Sequence, residues 1–395
     1  MEKNIYFDHA ATTPLDKRVI DEMLPYFTEI YGNANSQHAF GRDAIKAVDK
    51  AREDIAKIIG AKTNEVYFTS GGTESDNWAL KGIMRANTNK GKHLIISPIE
   101  HSAMLSSAKD LSKEGFEVSY LKVDDKGVVD LEHLKSIIRK DTVLVACMFA
   151  NNEVGTIEPI KEICEIAHAN GSLCFTDAVQ ACGVLDVNVK KTGVDLMSMS
   201  SHKIYGPKGV GALYVRNGVK IENLIVGGHQ ERMKRGGTTN VPGVVGFAKA
   251  FMIAEEEREQ NYKYVSSLRD RFIEKVLKEV PNVKLNGALG EQRLPANADF
   301  SFEYIEGESI LFSLDLEGIA VSSGSACSSG SLEPSHVLLA LGLPEELAHG
   351  SIRFSFGKHN TIEEIDYAVE VLVKTVNRLR EMSPLFKAEE VNKYV

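Results

Sequence analysis

Val143-Leu-Val-Ala-Cys-Met-Phe149 is a continuous apolar run, residues Ile160 to Ala169 carry a helical pattern, and Leu173-Cys-Phe-Thr176 is apolar again. Apolar runs with little internal alternation fit strands covered on both faces, and a helix between two of them is a parallel crossover. The same alternation extends outward. Strands are predicted at Glu65–Thr69, His93–Ser97, Val118–Val123, Leu196–Met199 and Ala212–Val215, and helices at Thr73–Met84, Ala103–Lys113 and Leu131–Ile138. The pattern predicts an α/β architecture with a mainly parallel sheet sandwiched by helices.

Beyond Val215 the pattern changes. A long helical stretch, broken or bent, is expected from about Val241 to Lys278. Asp299-Phe-Ser-Phe-Glu-Tyr304 alternates as a half-buried strand does, and Ile352–Phe356 is a second strand. Helices are expected at Ser309–Leu316 and Ile362–Arg380. These elements predict a smaller α+β domain. The division is drawn as residues 14–257 for the large domain, with 1–13 and 258–395 forming the small one.

The 395 residues carry a net charge of −9, which argues against non-specific nucleic-acid binding. No apolar run approaches the ~20 residues of a membrane span. The N-terminal Met-Glu-Lys-Asn-Ile-Tyr-Phe-Asp-His lacks a basic segment followed by an apolar one, so it does not read as a signal peptide. Five cysteines with no CxxC pair exclude a disulfide framework and a zinc site, and a cytoplasmic enzyme is expected.

Five features fall near the ends of predicted strands, where open α/β sheets bind ligands. Ser70-Gly71-Gly72-Thr73 joins a strand to a helix, either as a phosphate cradle or as a tight turn. His101 is a helix cap or a ring that stacks on a planar cofactor. Asp177, following a buried strand with Gln180 three residues on, is a helix cap, an ion-pair partner or the counterion of a cationic ring nitrogen. Lys203 lies just beyond a buried strand among Ser200, His202 and glycines, either as a surface-loop lysine or as an amine for Schiff-base chemistry. Spacing alone does not separate it from Lys208. Val321-Ser-Ser-Gly-Ser-Ala-Cys327-Ser-Ser-Gly330 has no apolar period and reads as a loop. Cys327 therefore stands apart from Cys147, Cys164, Cys174 and Cys182, whose apolar contexts read as core, and is either incidental or a nucleophile.

A phosphate cradle, a carboxylate, a stacking ring and a Schiff-base lysine together match the needs of pyridoxal 5'-phosphate. The sequence resembles the cysteine desulfurases of the NifS/IscS family, within the class-V aminotransferase (fold-type I) enzymes. The resemblance rests on Phe7-Asp-His-Ala-Ala-Thr-Thr-Pro14, Phe68 through Asn77, Glu100-His101, Asn151-Asn-Glu-Val-Gly155, Thr176 through Gln180, Asp195 through Gly209, Arg235-Gly-Gly-Thr238, Ser322 through Ser328 and Ser351-Ile-Arg-Phe354. The Ser-Ser-Gly-Ser-Ala-Cys loop resembles the group I branch. The sequence departs from the commoner pattern at Asn33-Ala-Asn-Ser36, Ser200-Ser-His202 and Arg235-Gly-Gly-Thr238, without removing a chemical role.

The resemblance implies a seven-stranded sheet and a set of roles. Lys203 holds the cofactor, Asp177 pairs with its ring nitrogen, His101 stacks on the ring, and Gln180 and Asn152 contact it. Gly72, Thr73, Ser200 and His202 hold the phosphate, and Thr238 reaches it from the other subunit of a homodimer. Arg353, assisted by Asn35 and Asn152, binds the substrate α-carboxylate. Lys203, Cys327 and His101 are the catalytic set, with Cys327 carrying the sulfur of L-cysteine as a persulfide. No resident metal is implied, although Cys327 is a transient ligand for an iron–sulfur cluster on this reading. The resemblance further implies an IscU-type scaffold or another sulfur acceptor docking near Glu381–Phe386, for iron–sulfur assembly or tRNA thiolation. Selenocysteine lysis, or another reaction of the same scaffold, is the alternative activity.

Overall fold

The computed structural model describes residues 4–323, 333–384 and 386. Twelve strands occur among them. They are β1 (Ile5–Tyr6), β2 (Val66–Thr69), β3 (His93–Ile96), β4 (Glu117–Tyr120), β5 (Thr142–Ala146), β6 (Leu173–Asp177), β7 (Leu196–Ser200), β8 (Gly211–Val215), β9 (Val283–Asn286), β10 (Asn297–Phe302), β11 (Ile319–Ala320) and β12 (Ser351–Ser355). β2 to β8 form one seven-stranded sheet in the order β2-β8-β7-β6-β5-β3-β4. β8 alone runs against its neighbours, and the other described pairings in this sheet are parallel. The predicted mainly parallel sheet is therefore present. β4 is shorter than its apolar pattern suggested, because Val123 leaves the sheet to bridge to Val129.

Helices cover both faces, which is why β3, β5, β7 and β8 are buried at every position. One face packs against helices Ala39–Ile59, Ile160–Ala169 and Val241–Glu256 through residues such as Val48, Ile55, Ile163, Phe247 and Phe251. The other packs against Gly72–Ala86 and Ser102–Lys113 through Trp78, Leu80, Met104 and Leu111. Helix Ala39–Ile59 was not read from the sequence. Its apolar face (Ala44, Val48, Ala51, Ile55, Ile59) is spaced at helical intervals, and Gly60 ends it in the left-handed conformation at φ 72°.

A second core forms around the antiparallel sheet β12-β10-β9, where Phe272, Phe300 and Phe354 pack together with Phe7 and Phe356. The long helical stretch is two helices, Val241–Glu256 and Arg258–Glu279, meeting at Glu257. The Glu257 carboxylate accepts from Lys358 at 3.0 Å, and Lys358 also pairs with Asp16 at 2.9 Å. These ion pairs tie the bend to the segment after β12. β1 pairs with β11 and not with the large sheet, so Ile5 and Tyr6 are held by Ile319 and Ala320, far along the chain. No helix among the described residues is long and apolar enough to cross a membrane.

Candidate active site

The carboxyl ends of β2, β3, β5, β6 and β7 open on the same edge of the large sheet, because these strands run in one direction. That geometry gathers residues from five separate loops. Asp177 ends β6 and is 5% exposed. One of its oxygens accepts the Val179 N–H at 2.8 Å and lies 3.3 Å from the Ser198 hydroxyl. Burial raises its pKa, while the Val179 N–H, His101, Ser198 and Lys203 act in the opposite direction. Ser200 ends β7 and is buried, and a 3-10 turn then carries His202 and Lys203 outward. Of the two lysines in that loop, Lys203 is the one whose charge reaches Asp177.

Lys203 Nζ donates to the carbonyls of Ala10 and Ala11, the latter at 2.7 Å. The Gln180 amide donates to Ala10 O at 3.0 Å. His202 Nδ1 lies 3.2 Å from the Thr12 hydroxyl, and the Thr13 hydroxyl donates to His202 O at 2.8 Å. The segment from Ala10 to Thr13 thus lines the lysine. Burial, with Lys203 and Lys208 nearby, lowers the His202 pKa to about 4, so its imidazole is neutral at pH 7. His101 caps helix Ser102–Lys113, its Nδ1 accepting the Ala103 N–H at 3.2 Å.

Gly72 and Thr73 begin the 15-residue helix Gly72–Ala86, whose positive end faces the same edge. A Cβ at Gly72 would stand 2.9 Å from Val179 Cγ2 and one at Gly211 2.7 Å from Gly71 Cα, so small residues keep this turn pressed on the sheet. Glu74 accepts the Ser70 N–H at 2.8 Å and takes both arms of Arg235 at 2.8 and 2.9 Å. Thr238, three residues on, is exposed in the single chain.

Arg353 on β12 faces the site from the second core, its side chain 3% exposed. It donates to Asp8 Oδ1 and to Asn152 O, each at 3.0 Å, while its buried Nε has no hydrogen-bond partner. An unpaired buried guanidinium N–H suits a carboxylate ligand. Asn152 is brought to Arg353 by its backbone carbonyl, and Asn35 is exposed with its N–H on the Asn33 side chain. Cys327 lies outside the described residues. Ser322, shortly before it, exchanges backbone hydrogen bonds with Arg353 at 3.2 and 2.7 Å. On the far side, the Ser335 hydroxyl donates to Glu153 at 2.5 Å and His336 Nε2 lies 2.9 Å from Glu100 O.

Asp8, the Ala10 and Ala11 carbonyls, Glu153 and Asp76 were not singled out in the sequence, since no local pattern marks a contact made across more than a hundred residues. Glu153 is buried beside Ser335, Arg353 and His101, and burial raises its pKa to about 7.

A neutral-histidine, lysine and buried-carboxylate set at the carboxyl edge of an open α/β sheet defines a class: enzymes that hold a phosphorylated, cationic aromatic ring. The residues present fit such a ring. The helix start and the close turn at Gly72 suit an anion, and the desolvated Asp177 suits a cationic nitrogen.

The aminotransferase class-V family model matches residues 5–368. The chain is 53% identical over 394 residues to cysteine desulfurase IscS of Clostridium botulinum, covering 100% of this chain and 99% of that one. It is likewise 53% identical over 393 residues to cysteine desulfurase IscS of Dictyoglomus turgidum, covering 100% of both. Among solved structures, a NifS-like protein superposes with a TM-score of 0.90 at 41% identity, covering 95% of this chain and 100% of that one. The chain belongs to the NifS/IscS branch of the class-V aminotransferase family. Enzymes of this family depend on pyridoxal 5'-phosphate.

Proposed function

We propose that the protein is a cysteine desulfurase that converts L-cysteine to L-alanine and passes the sulfur, as a persulfide on Cys327, to an acceptor protein. The observation that carries this reading is Lys203 within electrostatic reach of the buried Asp177 at the sheet edge, together with Arg353, which holds Asn152 O and exchanges backbone hydrogen bonds with Ser322. When bound, pyridoxal phosphate supplies an electron sink that stabilises negative charge at the substrate Cα and so weakens the bond from Cβ to sulfur. Lys203 would hold the cofactor through its amine, and the same amine would serve as the base that takes the substrate Cα proton and returns it before alanine leaves. Asp177 would keep the ring nitrogen protonated, and His101, Gln180 and Asn152 would contact the ring. Gly72, Thr73, Ser200 and His202 would hold the phosphate, to which a neutral His202 can donate one N–H. Arg353 pairs with the α-carboxylate, its bare Nε–H and one terminal N–H making a two-point contact.

The Cys327 thiolate attacks the substrate sulfur. A sulfur–sulfur bond forms, the Cβ–S bond breaks, and its electron pair stays with carbon, which takes a proton to become the alanine methyl group. The reading divides the chain into a large unit of 14–257 and a small one of 1–13 and 258–395. It also makes the enzyme a homodimer, with the exposed Thr238 serving the phosphate of the other subunit. The sulfur acceptor, an IscU-type scaffold on this reading, docks near Glu381–Phe386.

Pyridoxal-phosphate-loaded protein given L-cysteine and a reductant should release alanine and sulfide in equal amounts. Mass spectrometry should find one added sulfur atom on Cys327. Cys327→Ser should keep the cofactor absorbance and lose turnover; normal desulfuration by that variant would overturn the assignment of the nucleophile.

A further inference from the structure

Arg353 is the cation that the reaction needs for the substrate carboxylate, yet the chain itself holds an anion against it. Its Nη2 donates to Asp8 Oδ1 and its Nη1 to Asn152 O, each at 3.0 Å, while the buried Nε has no partner. Two other acids, Glu153 and Asp299, lie within its electrostatic reach. Among the described residues, Asp8 is the one carboxylate that touches the guanidinium. The reaction as described gives Asp8 no task.

Backbone hydrogen bonds hold Asp8 in this position. Phe7 O accepts the Ser355 N–H at 2.7 Å, and Ser355 O accepts the His9 N–H at 3.2 Å. Asp8 is thus clamped between two bonds to a residue two places beyond Arg353 on β12. The Ser355 hydroxyl also accepts the Ala10 N–H at 2.9 Å. The Asp8 carbonyl accepts the Ala11 N–H at 3.0 Å and so begins the turn whose Ala10 and Ala11 carbonyls line Lys203. The Asp8 carboxylate takes no part in that turn, because its hydrogen bond among the described residues is to Arg353. Removing the side chain therefore spares the lining of Lys203 and alters the setting of Arg353.

We infer that Asp8 is the positioning residue of the carboxylate site: it holds the Arg353 guanidinium so that Nε–H and the second Nη2 proton meet the two oxygens of the substrate α-carboxylate. A two-point contact requires the plane and the rotation of the guanidinium to be fixed, and a long arginine side chain does not fix them by itself. Asn152 O and Asp8 Oδ1 pin two corners and leave the third for the ligand. Asp8 also supplies the counter-charge without which an empty site would hold a buried, unpaired cation. The role rests on the reading of Arg353 given above and does not depend on the fate of the substrate sulfur.

The test titrates pyridoxal-phosphate-loaded protein with L-alanine and with ethylamine, which is L-alanine without its carboxylate, and follows the cofactor absorbance. Asp8→Ala should weaken L-alanine binding about tenfold, the effect of losing one hydrogen bond to a charged group, and leave ethylamine binding within about twofold of the parent. Asp8→Asn keeps an oxygen acceptor in the same place and should weaken L-alanine less than about threefold. Equal weakening of both ligands would mark a general loosening of the fold and overturn the inference. Unchanged L-alanine binding in Asp8→Ala would overturn it too, as would tighter binding, the result expected if Asp8 merely competes with the ligand. A loss in Asp8→Asn as large as that in Asp8→Ala would remove the role of the contact. Should Asp8→Ala fail to fold, Asp8→Ser, too short to reach Nη2, carries the same expectation and the same refutations. Loaded protein that separates L-alanine from ethylamine in this way, yet leaves no added sulfur on Cys327 after L-cysteine, would keep the role of Asp8 and lose the desulfurase reading.

Discussion

Arg52 and Glu231 form a doubly hydrogen-bonded ion pair at 2.6 and 2.7 Å, with side chains only 7% and 5% exposed. Glu231 also accepts the Phe68 N–H of β2 at 2.9 Å, and Arg52 also donates to Val66 O. The pair holds a costly piece of backbone, because Glu231, Arg232 and Met233 all have positive φ, at 45°, 57° and 63°. That turn leads directly to Arg235 and its grip on Glu74 at the start of the phosphate-facing helix. Arg52→Met removes one charge and leaves the other buried. Breaking a buried pair in this way costs about 3–5 kcal/mol, whereas replacing both charges costs much less. Arg52→Met with Glu231→Gln keeps an acceptor for the Phe68 N–H and should restore at least about 2 kcal/mol of the loss. At roughly 2 °C per kcal/mol for a large domain, the single variant should melt about 6–10 °C below the parent. Urea titration and scanning calorimetry of the four proteins of the cycle measure both quantities. A single variant within ~1 kcal/mol of the parent, or a double variant less stable than the single, would refute the reasoning.

Two further outcomes follow from the geometry. Gly211→Ala would place a Cβ 2.5 Å from Met199 O and 2.7 Å from Gly71 Cα; it should destabilise by about 1–3 kcal/mol and weaken pyridoxal-phosphate binding, as read by thermal melting and cofactor titration. Stability should fall between pH 7 and 8.5. Glu153 and Asp299 have pKa values raised to about 7 and Glu158 to about 8, all by burial, so the native state holds protons that the unfolded chain has released, and the stability tied to them is lost as pH rises through those values. His9 and His202, lowered to about 4, work the other way, but their contribution is complete above the ordinary value of 6.5. The expected slope is roughly 1–2 kcal/mol per pH unit. Glu158→Gln should flatten it, and a flat parent profile in calorimetry would contradict these buried acids.

The large sheet was legible because each of its strands is a short apolar run that needs no distant information. Asp177 was legible as a candidate for the same reason, since a charged side chain at the end of a buried strand has few places to go, whereas spacing left Lys203 and Lys208 level and the family resemblance chose Lys203. The bend at Glu257 was expected as a break, but the ion pairs that fix it, from Asp16 and Lys358, are far apart in the chain and leave no local trace. Arg353 came only from the family resemblance, and its partners Asp8 and Asn152 O came only from the structure. What stayed hidden is long-range hydrogen bonding, which the chain's periodicity does not encode.

The pairing of β1 with β11 sets an order of events during synthesis on the ribosome. The large sheet can close once β8 has emerged, in keeping with N-terminal units folding first. The Ala10 and Ala11 carbonyls that line Lys203 belong to a segment whose anchors are Ala320, Arg353 and Ser355. Those residues are translated well after β8. The nascent chain can therefore carry an assembled sheet before the later anchors of the segment that lines Lys203 have been made, so the lining of the lysine is completed by chain that follows the sheet.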